Sequence, residues 1–227
     1  MSSQRQIILD TETTGLYPHN GDRLIEFAGL ELVNRQMSGN NLHLYVHPER
    51  DIPAEAMAVH GISLEKLDGE PVFAGVGRRI ADFLQGAELI IHNAKFDVGF
   101  LDMEFKRIGL PSIDGLGCKV VDTLAMAREL YPGQKVSLDA LCTRLEIDRS
   151  KRVLHGALID CELLAEVYLA MTRKQHSLVD NLPAAAQADE GTKLAQRPQY
   201  LKVLQASAEE LDEHNRYSDG LKQPRWL

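Results

Sequence analysis

Cysteine is scarce in this chain: Cys118, Cys142 and Cys161 are the only three in 227 residues. An odd number without metal-type spacing argues against a disulfide framework or a zinc site, and reads as reduced packing residues of a cytosolic protein. No apolar run is long enough to span a membrane, no segment reads as a signal peptide, and no period repeats. The expectation is therefore a soluble cytoplasmic protein with no membrane partner. Basic charge is also in deficit, with 25 Lys and Arg against 33 Asp and Glu and a formal net charge of −8. A protein that grips long duplex DNA unaided usually shows a basic surface, although net charge hides local patches. What remains, 44% hydrophobic and 26% charged, suffices for one good core plus an appendage.

Three segments carry the chemistry. The apolar run Ile7-Ile8-Leu9 leads into Asp10-Thr11-Glu12-Thr13-Thr14-Gly15. Side chains at i and i+2 of a strand share a face, so Asp10 and Glu12 can hold one hard cation between them; the plainer alternative is a strand ending in turn-forming residues. A second apolar run, Glu88 to His92, stops at Asn93-Ala94-Lys95-Phe96-Asp97. Apolar positions Val98, Leu101, Phe105 and Ile108 then recur at helical spacing, which makes Asn93 an N-cap and puts Asp97 in a first helical turn at a strand end. The third segment is His155-Gly156-Ala157-Leu158-Ile159-Asp160. On one ideal helix His155 and Asp160 would lie about 140° apart at ~3.6 residues per turn. His155 is therefore expected before the helix, on a flexible Gly-flanked segment that swings its ring toward a cation held by Asp160.

Four converging anions repel one another and are costly to bury unpaired. Oxygen ligands favour Mg²⁺ or Mn²⁺ over zinc. Two such ions ~3.5–4 Å apart stabilise the attacking and leaving oxygens of a phosphodiester displacement. An imidazole with an unperturbed pKa near ~6.5 suits proton removal from the attacking water.

These three ordered motifs resemble those of the DEDD exonuclease superfamily in its histidine branch, and more narrowly the family of proofreading epsilon subunits of bacterial DNA polymerase III. The resemblance covers roughly Arg5 to Lys174. It implies 3′→5′ hydrolysis of single-stranded DNA ends, with two divalent cations, Mg²⁺ or Mn²⁺. It implies that Asp10 bridges both, that Glu12 and Asp160 complete one site, that Asp97 supports the second, and that His155 is the general base. The segment Glu55 to Ile62 is similar to the family's substrate-contacting element, with Glu55 and His60 at its binding positions and Phe96 beside the terminal nucleotides. Asp10, Glu12 and Asp160 count among the substrate-binding positions as well. With its acidic balance, such a protein grips a short strand end and borrows its hold on DNA from partners. Arg78 with Arg79, and Lys151 with Arg152, are candidate phosphate contacts, the alternative being solvated surface pairs.

The coarse order is strand 6–10, strand 24–33, strand 41–46, helix 73–84, strand 88–92, helix 94–108, strand 119–122, short helices 124–130 and 138–145, and helix 157–172. Three leading strands without long helical connections are expected to be antiparallel neighbours, and the later alternation to add parallel strands. The result is an α/β fold with a mixed five-stranded sheet flanked by helices, which the resemblance implies as a ribonuclease H-like fold. Residues 1–179 form the expected exonuclease domain. Residues 180–199, rich in Ala, Gln, Pro and Asp, read as a flexible linker, and 200–227 as a partner-binding tail. Gln175-His176-Ser177-Leu178-Val179 resembles a sliding-clamp docking peptide, making Gln175 and Leu178 clamp-binding candidates. In the tail, Ser207 and Glu210 have capping-box spacing. The lone Trp226 is an interface anchor candidate, and the family's tail binds the polymerase subunit. Two alternatives are a free-standing exoribonuclease of the same branch and a non-catalytic polymerase–clamp scaffold; the second has no need of mutually repelling acids.

Overall fold

The structure, a computed structural model, describes residues 5–150, 152, 154–173 and 207–213. Five strands form one sheet in the order β3-β2-β1-β4-β5. β1 (Arg5–Thr13), β2 (Leu24–Val33) and β3 (Gln36–Tyr45) are antiparallel neighbours, and β4 (Glu88–Ile91) and β5 (Lys119–Asp122) add in parallel. The helices are α1 (Ala54–His60), α2 (Phe73–Leu84), α3 (Ala94–Arg107), α4 (Thr123–Leu130), α5 (Leu138–Arg144) and α6 (Ala157–Met171). Alternation along β1 divides the core: Ile7 and Leu9 pack with α2 and α3 around Phe73, Phe105 and Leu101. Ile8 faces α6 through Cys161 and Leu164. The three cysteines are free and buried, as expected of packing residues. No helix among the described residues is long and apolar enough to cross a membrane.

The mixed sheet and its helices match the expected architecture, with two strands longer than expected and one short helix added, each for a physical reason. β1 continues past Asp10 to Thr13, because β2 keeps pairing with it through Asp10↔Ala28 and Glu12↔Glu26; both acids therefore sit within a paired strand. β3 starts at Gln36 instead of Asn41, since Asn34 and Arg35, at φ 52° and 66°, make a tight hairpin whose first residues on β3 are exposed and mostly lack an apolar side chain. α1, absent from the coarse order, exposes most of its seven residues and so carries no apolar period. Gly61 stops it in the left-handed region at φ 69°, with its N–H bonded to the Met57 carbonyl.

Asn93 precedes α3 as expected but does not cap it with its side chain; its backbone is left-handed at φ 68°. Its N–H instead donates to Asp122 Oδ1 at 3.1 Å, and the same oxygen accepts from Leu124 N at 2.9 Å. One carboxylate at the end of β5 thus ties down the starts of both α3 and α4. The chain divides into two units, Met1–Gln175 and His176–Leu227. In the second, the Ser207 hydroxyl accepts from Glu210 N, and Glu210 Oε2 accepts from Ser207 N at 2.8 Å. That is the reciprocal capping box the sequence implied, opening helix 208–213. Lys151, Gln175, Leu178, Trp226 and segment 180–199 lie outside the described residues.

Candidate active site

Strand alternation delivers the first two acids. Asp10 and Glu12 follow Ile8 on the α6 side of β1, whereas Thr11 faces α3 and its hydroxyl donates to Asp97 Oδ1 at 2.7 Å. Asp97 sits in the first turn of α3 and Asp160 in the first turn of α6, only 2% and 5% exposed. His155 lies before α6, with its backbone N–H bonded to the Val59 carbonyl at 3.1 Å and its Nδ1 3.2 Å from Asp160 Oδ2. The donor atoms of Glu12, His155 and Asp160 come within 4.8 Å of one another. Gly156 has φ −159°, an extended conformation open to any residue. The placement of His155 before the helix therefore holds, but it comes from a backbone tie to α1 and not from glycine freedom.

Repulsion dominates the electrostatics. Burial pushes the Glu12 carboxyl up to about 8, with Asp160, Glu26 and Asp97 adding to the rise and Arg152 opposing it. Burial raises Asp97 to about 7 against the Thr11 hydrogen bond that pulls it down. Asp10 stands well above the usual carboxylate range, first through burial and then through Asp97, Glu12, Asp160 and Glu26. Carboxylates that resist joint ionisation need positive charge. An all-carboxylate set with one imidazole beside it fits hard divalent cations.

One cation is supplied by the chain itself. The Arg152 side chain, 8% exposed, forks onto Asp160 through Nε–Oδ1 at 2.5 Å and a second nitrogen to Oδ2 at 2.7 Å. This corrects the alternative of a solvated pair, because Arg152 is buried among acids. Arg78 does behave as a surface pair, bonded to Asp82 at 2.9 Å on the exposed side of α2. Glu26 and Thr11 are site residues that sequence reading missed. Glu26, opposite Glu12 in register, accepts from Ala157 N at 3.1 Å and meets His43 Nε2 at 2.7 Å, so it holds the start of α6. Its signal was an acid inside the apolar run Leu24–Val33, which it shares with Glu31.

Two clefts border the acids. One, of about 460 Å³, brings Glu12 together with Glu55, His60 and Phe96, along with Leu16 and Val59. His60 Nδ1 accepts from Ile62 N at 3.0 Å, which leaves Nε2 as the proton-bearing nitrogen; Nε2 is buried without a hydrogen-bond partner among the described residues. Burial also lowers the His60 pKa, favouring the neutral ring. The other cleft, of about 640 Å³, is lined by Asp10, Asp160, His155, Arg152, His92 and Arg128, among others.

Comparison with known proteins places the chain in a family. A family model described as Exonuclease (RNase T) matches residues 7–168. The DNA polymerase III subunit epsilon of Pasteurella multocida is 48% identical over 221 residues, 94% of this chain and 87% of its own length. That of Escherichia coli is 47% identical over 220 residues, covering 92% and 90%, and that of Rickettsia typhi 43% over 225, covering 97% and 98%. Among solved structures, exonuclease X in complex with 5′ overhanging duplex DNA superposes with a TM-score of 0.55 at 28% identity, over 73% of this chain and 90% of that one. An exonuclease I structure gives 0.66 at 18% identity over 75% of this chain and 41% of its own, a likeness of fold. Since the family match runs from β1 into α6 and takes in every acid of the cluster, the chain belongs to the exonuclease family and, within it, to the epsilon subunits of DNA polymerase III.

Proposed function

We propose that this protein is a divalent-cation-dependent exonuclease that releases nucleotides from DNA 3′ ends and serves as the proofreading subunit of DNA polymerase III in the cytoplasm. The observation that carries the reading is the convergence of Asp10, Glu12, Asp97 and Asp160 beside His155, drawn from three separate elements. Asp10, Glu12 and Asp160 would hold one Mg²⁺ or Mn²⁺, and Asp10 with Asp97 the second. Such a pair, when bound, stabilises negative charge on the attacking and leaving oxygens of a phosphodiester.

The chain's own groups supply the rest. Thr11 fixes the Asp97 carboxylate, and Glu26 anchors the helix start that carries Asp160. His155, facing Asp160 through Nδ1, takes the proton of the attacking water as general base. Glu55 and His60 would hold the sugar and phosphate of the terminal nucleotide, and the half-buried Phe96 ring offers a base a stacking face. Direction and DNA preference rest on the DEDD resemblance and on the relatives' naming as subunits of a DNA polymerase. The same naming supports a polymerase partner. In this reading residues 1–179 are the exonuclease domain and 180–199 a linker. The tail 200–227 contacts the polymerase through Trp226, and Gln175 with Leu178 contacts the sliding clamp.

The test compares end-labelled single-stranded DNA, a duplex with a mispaired 3′ end, and RNA, each with Mg²⁺, Mn²⁺ or chelator. Fastest release from the DNA ends, lost in chelator, is expected. Faster degradation of RNA, by a protein that binds no polymerase, would replace the proposal with a free-standing exoribonuclease.

A further inference from the structure

Arg152 contacts three side chains, Asp160, Asp139 and His155. Its fork occupies both oxygens of Asp160. Its other terminal nitrogen reaches Asp139 Oδ1 at 2.7 Å, at the start of α5. The nitrogen that meets Asp160 Oδ2 also lies 2.8 Å from His155 Nδ1. A guanidinium has donors only, so this last contact uses the imidazole lone pair. One buried cation thereby covers both the oxygens of a metal ligand and the basic nitrogen of the general base.

Asp139 differs from the other partners. It is about half exposed, belongs to no metal-binding set, and also pairs with Arg149 at 2.8 Å. It already holds one nitrogen of the guanidinium outside the acid cluster.

We infer that Arg152 is an exchangeable latch, holding Asp160 and His155 in place when no divalent cation is bound and releasing them, retained by Asp139 alone, when one is. The latch aligns the site before loading and frees the His155 lone pair only once a cation has taken Asp160. The inference rests on the metal-site reading above. It makes Arg152 a positioning residue, acting through Asp160 and His155, and Asp139 its acceptor.

The measurement is Mn²⁺ affinity of the full chain without substrate, read from the free-Mn²⁺ electron paramagnetic resonance signal, with thermal melting as a check on folding. Arg152→Gln removes the competitor and should bind Mn²⁺ about ten-fold tighter, the scale expected for removing a like charge a few ångströms away. Arg152→Lys keeps the charge but loses the fork, and should also bind tighter than wild type. Asp139→Asn, an exposed substitution expected to fold, removes the acceptor and should weaken binding. In the Arg152→Gln background the Asp139→Asn change should have no further effect, whereas independent charge effects would add. An Arg152→Lys affinity equal to wild type, or additive effects in the double variant, would overturn the latch while leaving the metal site standing. Wild type that binds no Mn²⁺ would overturn both.

Discussion

In chelator, the protein should lose stability as pH rises from 5 to 9, and divalent cations should remove that loss. Folding raises Glu12 from 4.5 to about 8 and Asp97 from 3.8 to about 7. Between those values the folded state holds protons that the unfolded chain has released, so stability falls as pH rises through the window. The contribution is fully present below about pH 4 and gone above about pH 8, the reverse of a salt-bridged carboxylate. Each unit is worth about 1.4 kcal/mol; counting the shared repulsion once, and discounting Glu12 for its contact with solvent, leaves on the order of 2–4 kcal/mol. At about 2–4 °C per kcal/mol for a chain of this size, the melting temperature should fall by roughly 5–15 °C. Calorimetry across this range in EDTA, then in millimolar Mn²⁺, reads it directly. Mn²⁺ should raise the melting temperature most at high pH, because it binds the ionised cluster of the folded state. Glu12→Gln should flatten the profile without metal. A melting temperature that is flat or rises with pH in EDTA, or that Glu12→Gln leaves unchanged in slope, would refute the reasoning.

Asp160→Ala should abolish nucleotide release while the protein still melts cooperatively, since Arg152 keeps its Asp139 partner and the remaining acids repel less; retained turnover would remove Asp160 from the metal set. His155→Ala should lower turnover by about 10²–10⁴ with Mn²⁺ binding largely kept, and near-normal turnover would reduce His155 to packing. Thr11→Val deletes the bond that draws the Asp97 pKa down. The ascending limb of the pH–rate profile should therefore move to higher pH, and an unmoved limb would dissociate Thr11 from the site.

The acids were legible because the proposed metal chemistry calls for carboxylates in fixed local settings, two on one strand face and one in the first turn of each of two helices. Asp10, Glu12, Asp97 and Asp160 satisfy those settings by periodicity alone. α2 was legible to the residue through its helical apolar period, Phe73, Val76, Ile80 and Leu84, and β5 through a Val pair between two charged ends. α1 and the outer half of β3 were not, because their residues face solvent and are held by hairpin geometry and a glycine stop. Glu26 becomes a site residue only through the antiparallel register that sets it opposite Glu12. Arg152 lies in an irregular segment, where no period reports which way a side chain turns, and its position depends on Asp139 and Asp160 arriving from α5 and α6.

The central claim is that the acid cluster, loaded with divalent cations, hydrolyses DNA from the 3′ end. The most direct test is 5′-labelled single-stranded DNA incubated with Mg²⁺ and either wild type or Asp10→Asn, the products resolved to single nucleotides. The account predicts a ladder that shortens one residue at a time from the 3′ end with wild type, and none with Asp10→Asn or in chelator. The same ladder from Asp10→Asn, or from wild type in excess EDTA, would contradict it.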